Sequence, residues 1–94
     1  MLLKKIGVAG TLESSDVMVT VEPAEAGGIS VEVDSSVKRQ FGRQIIETVK
    51  NTAEKIGVKN ANIKIVDKGA LEYALIARVK AAIYRSAEIN EYRF

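Results

Sequence analysis

Glu13, Ser14, Ser15 and Asp16 stand together in the run GTLESSDVMV of residues 10–19. Two hydroxyls between two carboxylates could do one of three things. The carboxylates could share acid–base work, a hydroxyl could act as a nucleophile, or a hydroxyl could be displayed for modification. The chain has no histidine, so the usual base near neutral pH is missing. A serine hydroxyl without a base is a weak nucleophile. The absence of cysteine excludes a disulfide framework, a thiolate zinc site and a cysteine nucleophile. No other metal-ligating cluster is visible either. On pattern alone the turn reads first as one whose polar side chains satisfy its own backbone. The alternative is an exposed hydroxyl held at a bend, on which a domain with no chemistry of its own could carry a cofactor.

The elements around this turn follow from periodicity. Val17, Val19 and Val21 alternate with Met18, Thr20 and Glu22, a half-buried strand. Pro23 and Gly27-Gly28 punctuate residues 23–28 as a loop. Ile29, Val31 and Val33 alternate in the same way, so the two strands are predicted to form an antiparallel hairpin. The earlier run Ile6, Val8, Gly10, Leu12 also alternates, but its glycines reduce it to a short edge strand or an extended arm. After Ser35-Ser36, either of which can cap a helix, Phe41, Ile45, Val49, Ala53 and Ile56 recur at helical spacing. Phe41 is the expected main aromatic of the core. Gly57 suits the left-handed position that ends a helix, with Val58 making the accompanying apolar contact. Ala61, Ile63 and Ile65 give another strand, and Asp67 is a candidate cap for a helix marked by Leu71, Leu75, Val79, Ala82, Ile83 and Ser86. The order is (β)ββαβα. It predicts an α+β two-layer sandwich, with a mixed sheet of three to four strands and both helices on one face. The strand–helix–strand unit of about residues 29–66 should be parallel with a right-handed crossover.

The 94 residues fit one domain, 1–94. Hydrophobic residues make up 47% and charged residues 28%, the balance of a soluble globular domain. No apolar run approaches the ~18 residues of a membrane span. Lys4 and Lys5 follow the first apolar residues instead of preceding them, the wrong order for a secretory signal. A cytoplasmic location is the expectation, with no membrane partner. Residues 1–36 carry a net charge of −4, and residues 37–94, with twelve Lys and Arg against six acids, carry +6. Different solvated faces explain this most simply. Arg39, Arg43, Arg78, Lys80 and Arg85 are otherwise candidates to meet phosphates or an acidic partner. An RNA-binding module is the competing class, but its usual platform is a sheet face bearing aromatics. The predicted strands carry none, so nucleic acid is not expected as a partner.

Three runs go beyond periodicity: VAGTLESSDVMV at 8–19, VDSSVKRQFGRQI at 33–45 and VDKGALEYALIARVKAAIYRSA at 66–87. Together they resemble the acyl carrier (gamma chain) subunits of citrate lyase over almost the whole chain. The resemblance implies a non-catalytic carrier unlike the four-helix acyl carrier proteins, whose Asp-Ser-Leu motif is absent here. It implies a prosthetic group, 2'-(5''-phosphoribosyl)-3'-dephospho-CoA, joined through a phosphodiester to the residue matching Ser14. Ser15 stands where relatives often carry glycine. Glu13 and Asp16 would hold the turn in water and repel the arm's phosphates. The implied partners are a prosthetic-group transferase and the lyase's alpha (transferase) and beta (lyase) subunits. Acetyl and citryl thioesters would pass between those subunits as citrate is cleaved to acetate and oxaloacetate. The carrier subunit of malonate decarboxylase is similar to this family and is the alternative.

Overall fold

The computed structural model describes residues 1–35 and 42–89. Along them run β1 (Gly7–Gly10), β2 (Val17–Pro23), β3 (Ile29–Ser35), α1 (Gly42–Lys55), β4 (Ala61–Asp67) and α2 (Glu72–Ser86). This is the two-layer α+β sandwich expected from the alternation, and the run before Gly10 does form a strand. Val17, Val19 and Val21 of β2 and Ala61, Ile63 and Ile65 of β4 are almost wholly buried. They meet Val49, Ala53, Leu75, Val79, Ala82 and Ile83 from the helices in one core. Each valine, leucine or isoleucine among them contributes about 1.5–3 kcal/mol by leaving water, and each alanine less. The other sheet face shows Asn62 and Lys64 to solvent, with Lys64 ion-paired to Glu22 at 3.2 Å.

The sheet order is β1-β2-β4-β3, which corrects the predicted hairpin. β2 and β3 are not neighbours, because β4 lies between them. β4 pairs antiparallel with β2 (Val19 opposite Ile65) and parallel with β3 (Val33 opposite Ile65). The reason lies in burial. β2 and β4 can each bury a full inward row, whereas Ile29, Val31 and Val33 stay half-buried, so β3 takes an edge. The loop after Pro23 is also shaped for this arrangement. Gly27 and Gly28 both have positive φ, and Gly28 accepts the Ala61 N–H and donates to Asn60 Oδ1. The loop therefore locks onto the start of β4 instead of turning back along β2.

The antiparallel partner of β2 on its other side is β1, with Val8 opposite Thr20. Its glycines are a packing requirement. A Cβ on Gly7 would stand 2.1 Å from the Ala82 carbonyl oxygen and 2.6 Å from the Ser86 nitrogen, so only glycine lets α2 lie directly on this strand. Around that contact, Ser86 is fully buried, its hydroxyl donates to the Lys5 carbonyl, and its own carbonyl accepts the Lys4 and Lys5 N–H groups. Arg85 Nη1 donates to the Val8 carbonyl at 2.7 Å on the same strand.

α1 ends as expected from Gly57. Its φ is 95°, its N–H donates to the Glu54 carbonyl, and the Val58 N–H donates to Ala53, with Val58 buried. Asp67 does not cap α2, whose N-cap is Leu71 without a side-chain bond. Instead Asp67 Oδ1 accepts the Gly69 and Ala70 N–H groups, and Oδ2 accepts the Ser35 hydroxyl. It ties the 67–70 turn to the end of β3. Phe41, Ser36 and Arg39 lie outside the described residues. Among the described residues Tyr84 is the buried aromatic.

Candidate functional site

The serine turn is the connection from β1 to β2, and its shape is set by its neighbours. The Asp16 N–H donates to the Glu13 carbonyl at 3.1 Å, closing the bend. The Ser15 N–H donates to the Lys68 carbonyl at 2.8 Å, and the Lys68 N–H donates to the Asp16 carbonyl at 2.9 Å. This pair continues the β2–β4 ladder one step past Val17 and Asp67. The serine turn and the 67–70 turn are thereby fastened to each other.

Asp16 is the hub. Its Oδ2 accepts the Thr11 hydroxyl at 2.7 Å, and its Oδ1 accepts the Val17 N–H at 2.7 Å and Arg78 Nε at 3.2 Å. Thr11 Oγ1 in turn accepts the Glu13 N–H at 3.2 Å. The Thr11 bond first, then the Val17 N–H and the Arg78 guanidinium, hold the Asp16 carboxyl down at about 2. The Asp16 side chain keeps only 16% of its exposure, so it is not the solvated acid expected from sequence. Its charge is matched by Arg78, which leaves Glu13 as the open carboxylate of the turn.

Ser14 and Ser15 are both exposed, and the backbone separates them. Ser15 has φ 66°, in the left-handed region that costs an L-residue about 1–2 kcal/mol. This is the position at which glycine fits without strain, and its N–H is spent on Lys68. Ser14 precedes it with ordinary backbone, and its hydroxyl has no partner among the described residues. Ser14 is therefore an exposed hydroxyl on unstrained backbone. Ser15 is committed to shaping the bend.

Sequence reasoning singled out Ser14, Glu13 and Asp16 but missed Gly10, Thr11 and the particular use of Arg78. A Cβ on Gly10 would fall 1.8 Å from the Val17 carbonyl oxygen and 3.2 Å from Arg78 Cδ. With φ 88°, Gly10 both makes the bend and leaves room for Arg78 to cross toward Asp16. The five basic candidates do not form one patch. Arg78 and Arg85 lean on the β1 side, Lys80 projects from the opposite side of α2, Arg43 is exposed on α1, and Arg39 is outside the described residues. Beside the 67–70 turn, a cavity of about 310 Å³ lies between the first turns of α1 and α2 and is lined by Ile45, Leu71 and Leu75. Its acids are engaged, Glu72 by the Thr48 hydroxyl and Asp67 as above. The strands carry no aromatic residue, so neither sheet face offers the stacking platform of an RNA-binding module.

A protein-family model described as "Malonate decarboxylase delta subunit (MdcD)", an acyl carrier family, matches residues 4–86. The citrate lyase acyl carrier protein of Fusobacterium nucleatum is 70% identical over 94 residues, the whole of both chains. The chain belongs to the citrate lyase acyl carrier protein family. The Klebsiella pneumoniae member is 53% identical, covering all of this chain and 97% of its own. Among solved structures, a chain of a Pseudomonas malonate decarboxylase hetero-tetramer in complex with malonate shares the fold. It has a TM-score of 0.69 over 90% of this chain and 91% of that one, at 21% identity. The expected family is thus shown, and with it the role of an acyl carrier.

Proposed function

We propose that this chain is the carrier subunit of a citrate lyase and that Ser14 bears a phosphoribosyl-dephospho-coenzyme A arm through a phosphodiester. The observation that carries the reading is Ser14 itself, an exposed hydroxyl without a partner among the described residues, on ordinary backbone at the apex of a turn that the Ser15 N–H and the Asp16 carboxylate fasten to the domain. In the attachment step the Ser14 oxygen forms a new P–O bond with an activated phosphoribosyl donor. A polyphosphate leaves, and the hydroxyl proton passes to a base of the transferase. When attached, the arm supplies the thiol that the cysteine-free chain lacks. The chain's own residues present the serine, hold the attachment point on a rigid sheet and keep it in water. Fixing the arm to one point makes its encounters with partner subunits effectively intramolecular. Those partners are the alpha and beta subunits in the cytoplasm.

A second reading is favoured by one observation, the description of the matching family model, which names malonate decarboxylase. It keeps Ser14 and changes the acyl group. Reconstitution separates the two. The modified chain is mixed with the other citrate lyase subunits or with the other malonate decarboxylase subunits. Citrate cleavage in the first mixture alone supports the proposal. Malonate decarboxylation in the second alone overturns it in favour of the alternative.

A further inference from the structure

From the geometry of the bend we infer that the Asp16–Arg78 clasp is a positioning device, with Arg78 holding the serine turn in the one conformation the modifying transferase accepts. The inference rests on the proposal that Ser14 is the attachment point. Ser14 makes no bond that could fix its own place, and the residue after it sits at a positive φ that a free chain would leave. The bend needs an external anchor. Part of it is local, through Thr11 and the Val17 N–H, and those groups move with the turn. The remainder comes from the rigid part of the domain. The Lys68 carbonyl holds Ser15 from the end of β4. Arg78 holds Asp16 from α2, whose neighbouring residues Leu75, Val79 and Ala82 are buried in the core.

The path of Arg78 is built for this contact. It crosses the strand at Gly10, where any Cβ would crowd its Cδ, and reaches a carboxylate 62 residues away in sequence. Only Nε is used, at 3.2 Å, and the side chain remains 41% exposed. Such an exposed pair adds little to global stability. Its effect falls on the local population of one bend. A binding partner that accepts one conformation sees an affinity reduced by the fraction of chains in it.

The test is the steady-state kinetics of Ser14 modification, with purified transferase, its activated donor and the full chain as substrate. Wild type, Arg78→Gln, Asp16→Asn and Arg78→Lys are compared, with circular dichroism confirming a folded chain at the assay temperature. The clasp predicts that Arg78→Gln and Asp16→Asn each raise the carrier KM about three- to fivefold and leave kcat within about 1.5-fold, as a competent fraction smaller by the same factor requires. Arg78→Lys should stay near wild type, because its ammonium lies one bond beyond the position of Nε and can reach the same oxygen. Should Asp16→Asn unfold, Arg78→Gln decides the matter alone. An unchanged KM in Arg78→Gln, or a loss in kcat alone, overturns the inference while leaving Ser14 as the acceptor. A wild-type chain that takes no adduct from an active transferase overturns the carrier reading and the clasp's role with it.

Discussion

Arg78 passes over Gly10 so closely that its Cδ lies 3.2 Å from where a Cβ of residue 10 would stand. That same Cβ would penetrate the Val17 carbonyl, and the backbone there has φ 88°. Gly10→Ala should therefore destabilise the fold by about 1–3 kcal/mol from backbone strain alone. For a domain of this size that lowers Tm by at least ~5 °C. Thermal unfolding checks it, and a Tm within 1–2 °C of wild type would show that the strand end relaxes freely.

Ser15→Gly should act in the opposite direction. The left-handed backbone costs serine about 1–2 kcal/mol, part of which glycine gives back through its larger unfolded-state entropy. A net gain of about 0.5–1 kcal/mol follows, read as a rise of a few degrees in Tm. The variant should still accept the prosthetic group. A fall in Tm would mean that the Ser15 hydroxyl does something the structure does not show.

Acid should release the serine turn before the core. The Asp16 carboxyl is held at about 2 when folded, against 3.8 unfolded. A lowered folded pKa gives a contribution that is complete above the unfolded value and is lost as pH falls toward 2. Wild type and Asp16→Asn should therefore differ in stability by a constant amount above about pH 5 and converge as the pH approaches 2. Denaturant unfolding from pH 2 to 7 measures this. A difference that grows on acidification would reverse the sign and contradict the assignment.

The order of strands can be tested through the core. Ile65 sits on central β4, fully buried, and its truncation to alanine should cost about 2–5 kcal/mol. Val31 lies on edge strand β3, half-buried, and Val31→Ala should cost less than half as much. Equal costs would point to a sheet in which β3 is as enclosed as β4.

Much of this fold is legible in the sequence because much of it is local. The alternations of Val17–Val21 and Ala61–Ile65 give strands, the spacing of Ile45, Val49 and Ala53 gives a helix, and Gly57-Val58 gives its end. The hairpin error arose where pairing is non-local. Nothing between Pro23 and Ile29 says that a strand thirty residues later will enter between β2 and β3, and only the comparison of buried rows explains it. The glycines of β1 look like weakness in the sequence because strand propensity carries no trace of the helix lying on it. At the site, Ser14 was legible as an exposed hydroxyl, and resemblance gave it a role. Asp16 looked solvated because its partner, Arg78, is 62 positions away. The one local hint was Thr11, a hydroxyl five residues before an aspartate across a bend.

The attachment of the prosthetic group to Ser14 is tested most directly by mass. Wild type, Ser14→Ala and Ser15→Ala are each co-expressed with the modifying transferase and examined by intact mass and peptide fragmentation. Because Ser14 bonds to nothing in the turn and Ser15 shapes the bend through its backbone, wild type and Ser15→Ala should both carry one phosphoribosyl-dephospho-coenzyme A on Ser14. Ser14→Ala should fold normally and carry none. An adduct that persists in Ser14→Ala and disappears in Ser15→Ala would contradict the assignment.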